Sequence, residues 1–119
     1  MRRKAGTLVP LERSILEAAL SLRGLGLQEA HGFLLARTIA DQHGARRLTA
    51  YGSLYKALDR LERGLLLASR WEDPHEAAEA GRPRRRFYRL TAAGEAALAV
   101  SRATDPAVTR PRPERSPVR

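Results

Sequence analysis

Residues 49–90 read TAYGSLYKALDRLERGLLLASRWEDPHEAAEAGRPRRRFYRL. The order within this stretch is a helical segment, a short apolar strand, a polar loop and an arginine-rich strand. Thr49 suits a helix N-cap, where its hydroxyl can accept a backbone N–H. Leu54, Leu58, Leu61 and Leu65 share one apolar face, the last three lying four, seven and eleven residues beyond the first. Tyr51, Ser53, Lys56, Asp59, Arg60 and Arg63 fall on the other face, and Gly64 stops the helix. Leu65 to Glu72 is short, apolar and bounded by turn residues, so it reads as a strand. Arg84 to Leu90 reads as a second strand because Phe87 and Tyr88 favour one. Asp73-Pro74 and Gly81-Arg82-Pro83 bracket a polar loop between them, which makes the pair a hairpin.

Upstream, Pro10 suits the first position of a helix, where its missing N–H costs nothing. Leu11, Ile15, Leu16, Ala19 and Leu20 continue at helical spacing to Leu22, and Gly24 and Gly26 stop the run. A second helix spans Ala30 to Gln42, with Phe33, Ala36 and Ile39 on its apolar stripe and Gly44 as its C-terminal cap. Residues 1–9 are expected to be a flexible basic arm. Downstream, Thr91 caps a last helix over residues 92–104, carrying Ala93, Ala96, Ala97, Leu98 and Val100. Residues 105–119 hold Pro106, Pro111, Pro113 and Pro117 with alternating charge, and are expected to be disordered. The fold class expected is mainly α with a small β-hairpin. It is a winged helix-turn-helix, with a three-helix core, a two-stranded wing and a C-terminal helix. Residues 10–91 form the winged-helix domain.

A chain of 119 residues fits one domain with a modest core. Its 22 basic residues outnumber 13 acidic ones, for a formal charge of +9. Such an excess points to a densely anionic partner, though Lys4 and Lys56 are the only lysines and an arginine bias of the whole genome would also raise the count. The absence of cysteine excludes disulfides, zinc ribbons and thiol chemistry, and suits a cytoplasmic location. No apolar run approaches the roughly 20 residues that span a bilayer, so no membrane partner is expected.

The position of the charge says more than its sum. A recognition helix needs an apolar face to seat it and a polar face to enter the major groove of double-stranded DNA. The segment from Thr49 has both, and Thr49, Tyr51, Gly52, Ser53, Tyr55, Lys56 and Arg60 are its candidate contacts. Gly52 would let backbone approach a phosphate near a helix N-terminus. In the hairpin, Arg82, Arg84, Arg85 and Arg86 are candidates for phosphate or minor-groove contact, with the loop-proximal Arg82 and Arg84 foremost. The alternative for the hairpin is a charged edge strand that resists aggregation. The acidic Glu72, Asp73, Glu76 and Glu79 would be repelled by DNA, so the loop should bend away from it.

Enzymatic patterns are missing. Gly52-Ser53 does not sit in a G-x-S-x-G elbow, and in His75-Glu76-Ala77-Ala78-Glu79 a glutamate replaces the second histidine of H-E-x-x-H. Gly24 and Gly26 lack the phosphate-loop pattern. No catalysis, metal or cofactor is expected. His31 is expected at a helix start or in packing, and Trp71 in the core, the alternative being the lining of an effector pocket at a dimer interface.

The segments His31-Gly32-Phe33, Gly52 to Glu62, Gly64-Leu65-Leu66 and Gly81 to Gly94 together resemble the PadR-like transcriptional regulators. The resemblance covers about residues 11–100 and rests on several motifs in one order. It implies a winged-helix DNA-binding repressor, a homodimer joined through the C-terminal helix and helix 1. It also implies that the helix holding Tyr51 to Arg60 enters the major groove and that the arginine hairpin is the wing. Response to a small-molecule effector is a further implication, with no effector residue carried over. The last helix is short, which would move more of a dimer interface onto Leu8, Val9 and Leu11. The function expected is a sequence-specific regulator acting as a dimer on a palindromic operator. The alternative is a winged-helix module that binds an acidic partner protein.

Overall fold

The computed structural model describes residues 8–43 and 51–104. The expectations for the basic arm before Leu8, for Gly44, for Thr49 and for the tail from Asp105 lie outside the described residues, as does the side chain of Tyr51.

Three helices form the core: α1 (Pro10–Gly24), α2 (Gly32–His43) and α3 (Tyr51–Arg63). Pro10 opens α1, and Glu12 Oε1 accepts from the Val9 N–H at 3.1 Å, which satisfies a donor at the helix start. Ile15 and Leu16 of α1, Leu35 and Ile39 of α2, and Leu54 and Leu58 of α3 are fully buried against one another. Each such side chain contributes about 1.5–3 kcal/mol of burial. The leucine spacing of α3 therefore places its apolar face as expected, with Ala57 and Leu61 completing it. Two members of the predicted stripes lie elsewhere. Leu65 falls past the end of α3 and is 72% exposed, and Phe33 of α2 is 52% exposed.

The turn after α3 explains Leu65. The Leu66 N–H bonds the Leu61 carbonyl and the Leu65 N–H bonds the Glu62 carbonyl, both at 2.9 Å. This closes the helix with a left-handed residue, Leu65 at φ 65°, one place after Gly64. Helix α1 ends the same way with Gly26 in the left-handed position.

The sheet has three strands rather than two: β1 (Ala30–His31), β2 (Leu67–Trp71) and β3 (Arg86–Leu90), in the order β1-β3-β2, all antiparallel. Ala30 pairs with Tyr88, and Leu67 with Leu90. The arginine-bearing strand is thus central, not the charged edge strand weighed above. A two-residue strand has no alternation to detect, and its pairing across the chain creates it. The expected polar loop holds a short helix, α4 (Pro74–Glu79), capped by Asp73, whose Oδ1 accepts from the His75 N–H at 2.8 Å.

The last helix, α5 (Ala92–Ala103), is docked by Thr91. Its hydroxyl accepts from the Gly94 N–H at 2.9 Å and donates to the Leu65 carbonyl at 2.8 Å. Gly94 is buried where a Cβ would overlap the Leu66 carbonyl and come 2.9 Å from Leu90 Cδ1. Only glycine lets the helix start pack this closely on the entry to β2. Leu98 then joins the core, and Glu95 pairs with Arg23 of α1.

Candidate nucleic-acid interface

The solvent face of α3 displays Gly52, Ser53, Tyr55, Lys56, Asp59, Arg60 and Arg63. Its cations are not equivalent. Arg63 pairs with Asp59 at 3.0 Å, one turn away. Arg60 Nε donates at 2.9 Å to Oε2 of Glu12, a carboxylate buried in α1. That bond ties α3 to the first turn of α1. Lys56 has no ion-pair partner among the described residues. Tyr55 lies across the start of α2, where a Cβ on Gly32 would collide with its phenol. The two helices approach closely there because residue 32 is glycine.

The wing is built on Glu72, which is 4% exposed. Arg82 grips it with both terminal nitrogens, to Oε1 at 2.5 Å and to Oε2 at 2.9 Å. The Arg85 N–H donates to Oε1 at 3.2 Å, and Arg84 Nε donates to the Glu72 carbonyl at 2.9 Å. The Glu72 N–H bonds the Arg85 carbonyl at 2.8 Å, extending the β2–β3 ladder. The hydrogen bond from Arg82 holds the Glu72 carboxyl below its ordinary range, helped by the Arg85 N–H and against the cost of burial. The same bond raises Arg82. So the acid that seemed out of place in a basic wing points inward and organises it.

This arrangement sorts the wing candidates. The guanidinium of Arg82 is committed to Glu72. Arg86 lies 3.4 Å from Glu62 and over Trp71, 5.0 Å from the ring centre. Arg84 lies 5.7 Å from the same ring. Neither Arg84 nor Arg85 has an ion-pair partner among the described residues. On the opposite sheet face Arg70 makes a two-point bond to Glu29, each arm 2.8 Å, and covers Phe87 at 5.0 Å. That bond from Arg70 depresses the Glu29 carboxyl.

Trp71 is not in the core: it is 52% exposed at the end of β2. Its partner across the sheet is Arg86, in the row where Tyr88 and Leu90 point inward. The row runs past the core edge before it reaches Trp71, so the indole emerges beside α3. Trp71, Phe33 and Tyr55 border an open cleft of about 520 Å³ between the start of α2, α3 and the wing. His31 lies at its edge, 6.3 Å from Phe33 and 6.2 Å from Phe87 between ring centres, a packing role as expected. Burial lowers the His31 pKa, with Arg85 and Arg82 adding to the shift.

The structure therefore brings Gly52, Ser53, Tyr55, Lys56, Arg60 and Arg82 to Arg86 onto two neighbouring elements. Glu12 and Glu72 were not singled out as organisers of those elements. Glu12, three residues after Val9 at a helix start, carried a local signal; Glu72, an acid closing an apolar strand, carried none that separates it from a loop residue.

Among the described residues, no cluster of His, Asp and Glu could hold a metal ion, and no helix is long and apolar enough to cross a membrane. No curated protein sequence matches the chain. Two solved structures are similar. A transcriptional regulator from Clostridium thermocellum is 19% identical, with 75% of each chain covered and a TM-score of 0.59. A PadR family transcriptional regulator from Eggerthella lenta is 27% identical, covering 78% of this chain and 73% of that one, with a TM-score of 0.56. The model of the transcriptional regulator PadR-like family matches residues 22–100. With that match spanning most of the helical core, the whole sheet and most of α5, the chain belongs to the PadR-like family of transcriptional regulators.

Proposed function

We infer that this chain is a sequence-specific repressor that binds a palindromic operator in double-stranded DNA as a homodimer. The observation that carries the reading is the pairing of an exposed polar α3 face with wing cations on the adjacent element, Arg84 and Arg85, that make no ion pair among the described residues. The α3 face would read base edges through Ser53, Tyr55 and Lys56. The wing would hold the flanking phosphate backbone. Arg60 and Arg82 act one step back: Arg60 fixes α3 to α1 and Arg82 fixes the wing turn. Dimer formation draws support from α5, which leaves Val100 60% exposed, and from the half-buried Leu8, just before α1, and Leu11 and Leu20 of α1. A two-fold dimer would repeat α3 on successive major grooves, which is why the operator is expected to be palindromic.

The test is a mobility shift on DNA upstream of the chain's own gene, at physiological salt with random-sequence competitor. A specific complex is expected. Lys56→Ala should reduce the preference for that fragment over random DNA, by about 1–3 kcal/mol if it contacts a base. No specific shift, with a monomer on size exclusion, would favour an acidic protein as partner instead.

A further inference from the structure

We propose that Glu12 is a positioning residue for DNA recognition: through Arg60 it fixes the roll of α3 against α1, and so sets the spacing between the two half-sites that a dimer accepts. The proposal rests on the homodimer reading above and adds to it a residue that is itself buried. Glu12 sits in the first turn of α1, next to Leu11 of the apolar surface on which the dimer reading draws. Its side chain is 3% exposed. Oε1 accepts from the Val9 N–H at 3.1 Å, and Oε2 accepts from Arg60 Nε at 2.9 Å. One carboxylate therefore joins the backbone at the start of α1 to the solvent side of α3, across 48 residues of chain.

Stability is a poor account of this pair. Taking the carboxylate out of water offsets much of what its bond to Arg60 gains, and the half-exposed guanidinium is screened by solvent. What the bond supplies is direction. Ile15 and Leu16 of α1 pack on Leu54 and Leu58 of α3, and apolar contact has no preferred angle. Packed helix pairs vary by about 15–20° in relative orientation. A polar bond to one side of the leucine line removes that freedom. On the other flank Glu62 ties α3 to the sheet through Ser69 and Arg86, but α1 is the helix that carries the dimer surface. An α-helix with its side chains has a radius of about 5–6 Å, so a roll of about 20° moves Ser53 and Lys56 by about 2 Å. The two-fold axis doubles that to about 4 Å between the two reading faces, close to the roughly 3.4 Å rise of one base pair. The Arg60–Glu12 bond thus acts on the scale that separates a correct site from one a single base pair too long or too short.

The full-length protein is titrated with the duplex from upstream of its own gene, and with two versions of it that have one base pair inserted or deleted at the centre of the palindrome. The wild type is expected to prefer the native spacing by at least about tenfold. Glu12→Met removes the bond without touching the DNA-facing side of α3, and should bring the three duplexes within about threefold of one another. Glu12→Met/Arg60→Met replaces the ion pair by an apolar pair. It should melt close to the wild type and still bind all three spacings alike. If Glu12→Met does not fold, this double variant carries the test. A spacing preference that returns with the melting temperature in the double variant overturns the positioning role, because a structural tie alone would behave that way. Wild-type spacing preference in Glu12→Met overturns it as well. So does a wild-type dimer that binds the three duplexes equally, and these results leave the DNA reading standing. No specific complex with the wild type, or a monomer on size exclusion, removes the dimer reading and this proposal together.

Discussion

Replacing Arg84 and Arg85 together with alanine should flatten the salt dependence of duplex binding, while replacing Arg82 should not. The structure sets the magnitude. Arg84 and Arg85 have no ion-pair partner among the described residues, so each can neutralise one phosphate. Each lost phosphate contact removes about 0.9 from the slope of log K against log salt, about 1.8 for the pair. Arg82 instead holds both oxygens of the buried Glu72. Arg82→Ala leaves that carboxylate without its main partner and should lower the melting temperature more than the double variant does. The assay is fluorescence anisotropy of a labelled duplex from about 50 to 200 mM salt, with thermal melts by circular dichroism. If Arg82→Ala flattens the slope as much as the double variant and melts like the wild type, the division between clamp and scaffold is wrong.

Gly94→Ala should destabilise the fold by about 1–3 kcal/mol, because its Cβ meets the fixed backbone of Leu66 and not a movable side-chain tip. The melting temperature should fall on the order of 5–15 °C, and a rise would refute the close packing of α5. Leu65→Gly should stabilise by roughly 0.5–1 kcal/mol, since relief of the left-handed leucine outweighs glycine's larger unfolded entropy; a lower denaturation midpoint in urea would contradict the turn geometry. Glu72 and Glu29 titrate below their ordinary value of 4.5 in the fold, so their contribution is complete above that value. It is lost as pH falls through the depressed values, because the unfolded chain takes up protons first. Glu72→Gln should therefore weaken the acid dependence of stability below pH 4.5, and an unchanged acid profile would argue against the inward carboxylate.

Much of this fold is legible in periodicity. The buried Leu54, Leu58 and Leu61 follow directly from their spacing, and Thr91 declares its helix by its hydroxyl. What escapes is set by contacts between distant segments. Ala30–His31 becomes a strand only because β3 lies beside it. Asp73-Pro74 signals a turn and a helix start equally well, and the buried Ala77 under α4 decides for the helix. The site follows the same division. The solvent face of α3 is visible from spacing, whereas the commitment of Arg60 to Glu12 and of Arg82 to Glu72 spans 48 and 10 residues. Trp71 looks like core by its hydrophobicity, yet the buried part of its row in the sheet ends at Tyr88, and Trp71 lies beyond it, opposite Arg86.

The central claim is that the polar face of α3 and the Arg84–Arg85 turn meet DNA on one side of the molecule. Backbone amide shifts of the ¹⁵N-labelled protein, recorded with and without a duplex from upstream of its gene, test this most directly. The account predicts changes concentrated at residues 52–60 and 82–86, with Leu98 and the buried face of α1 quiet. Changes centred on α5 and α1, with residues 52–60 unmoved, would contradict it.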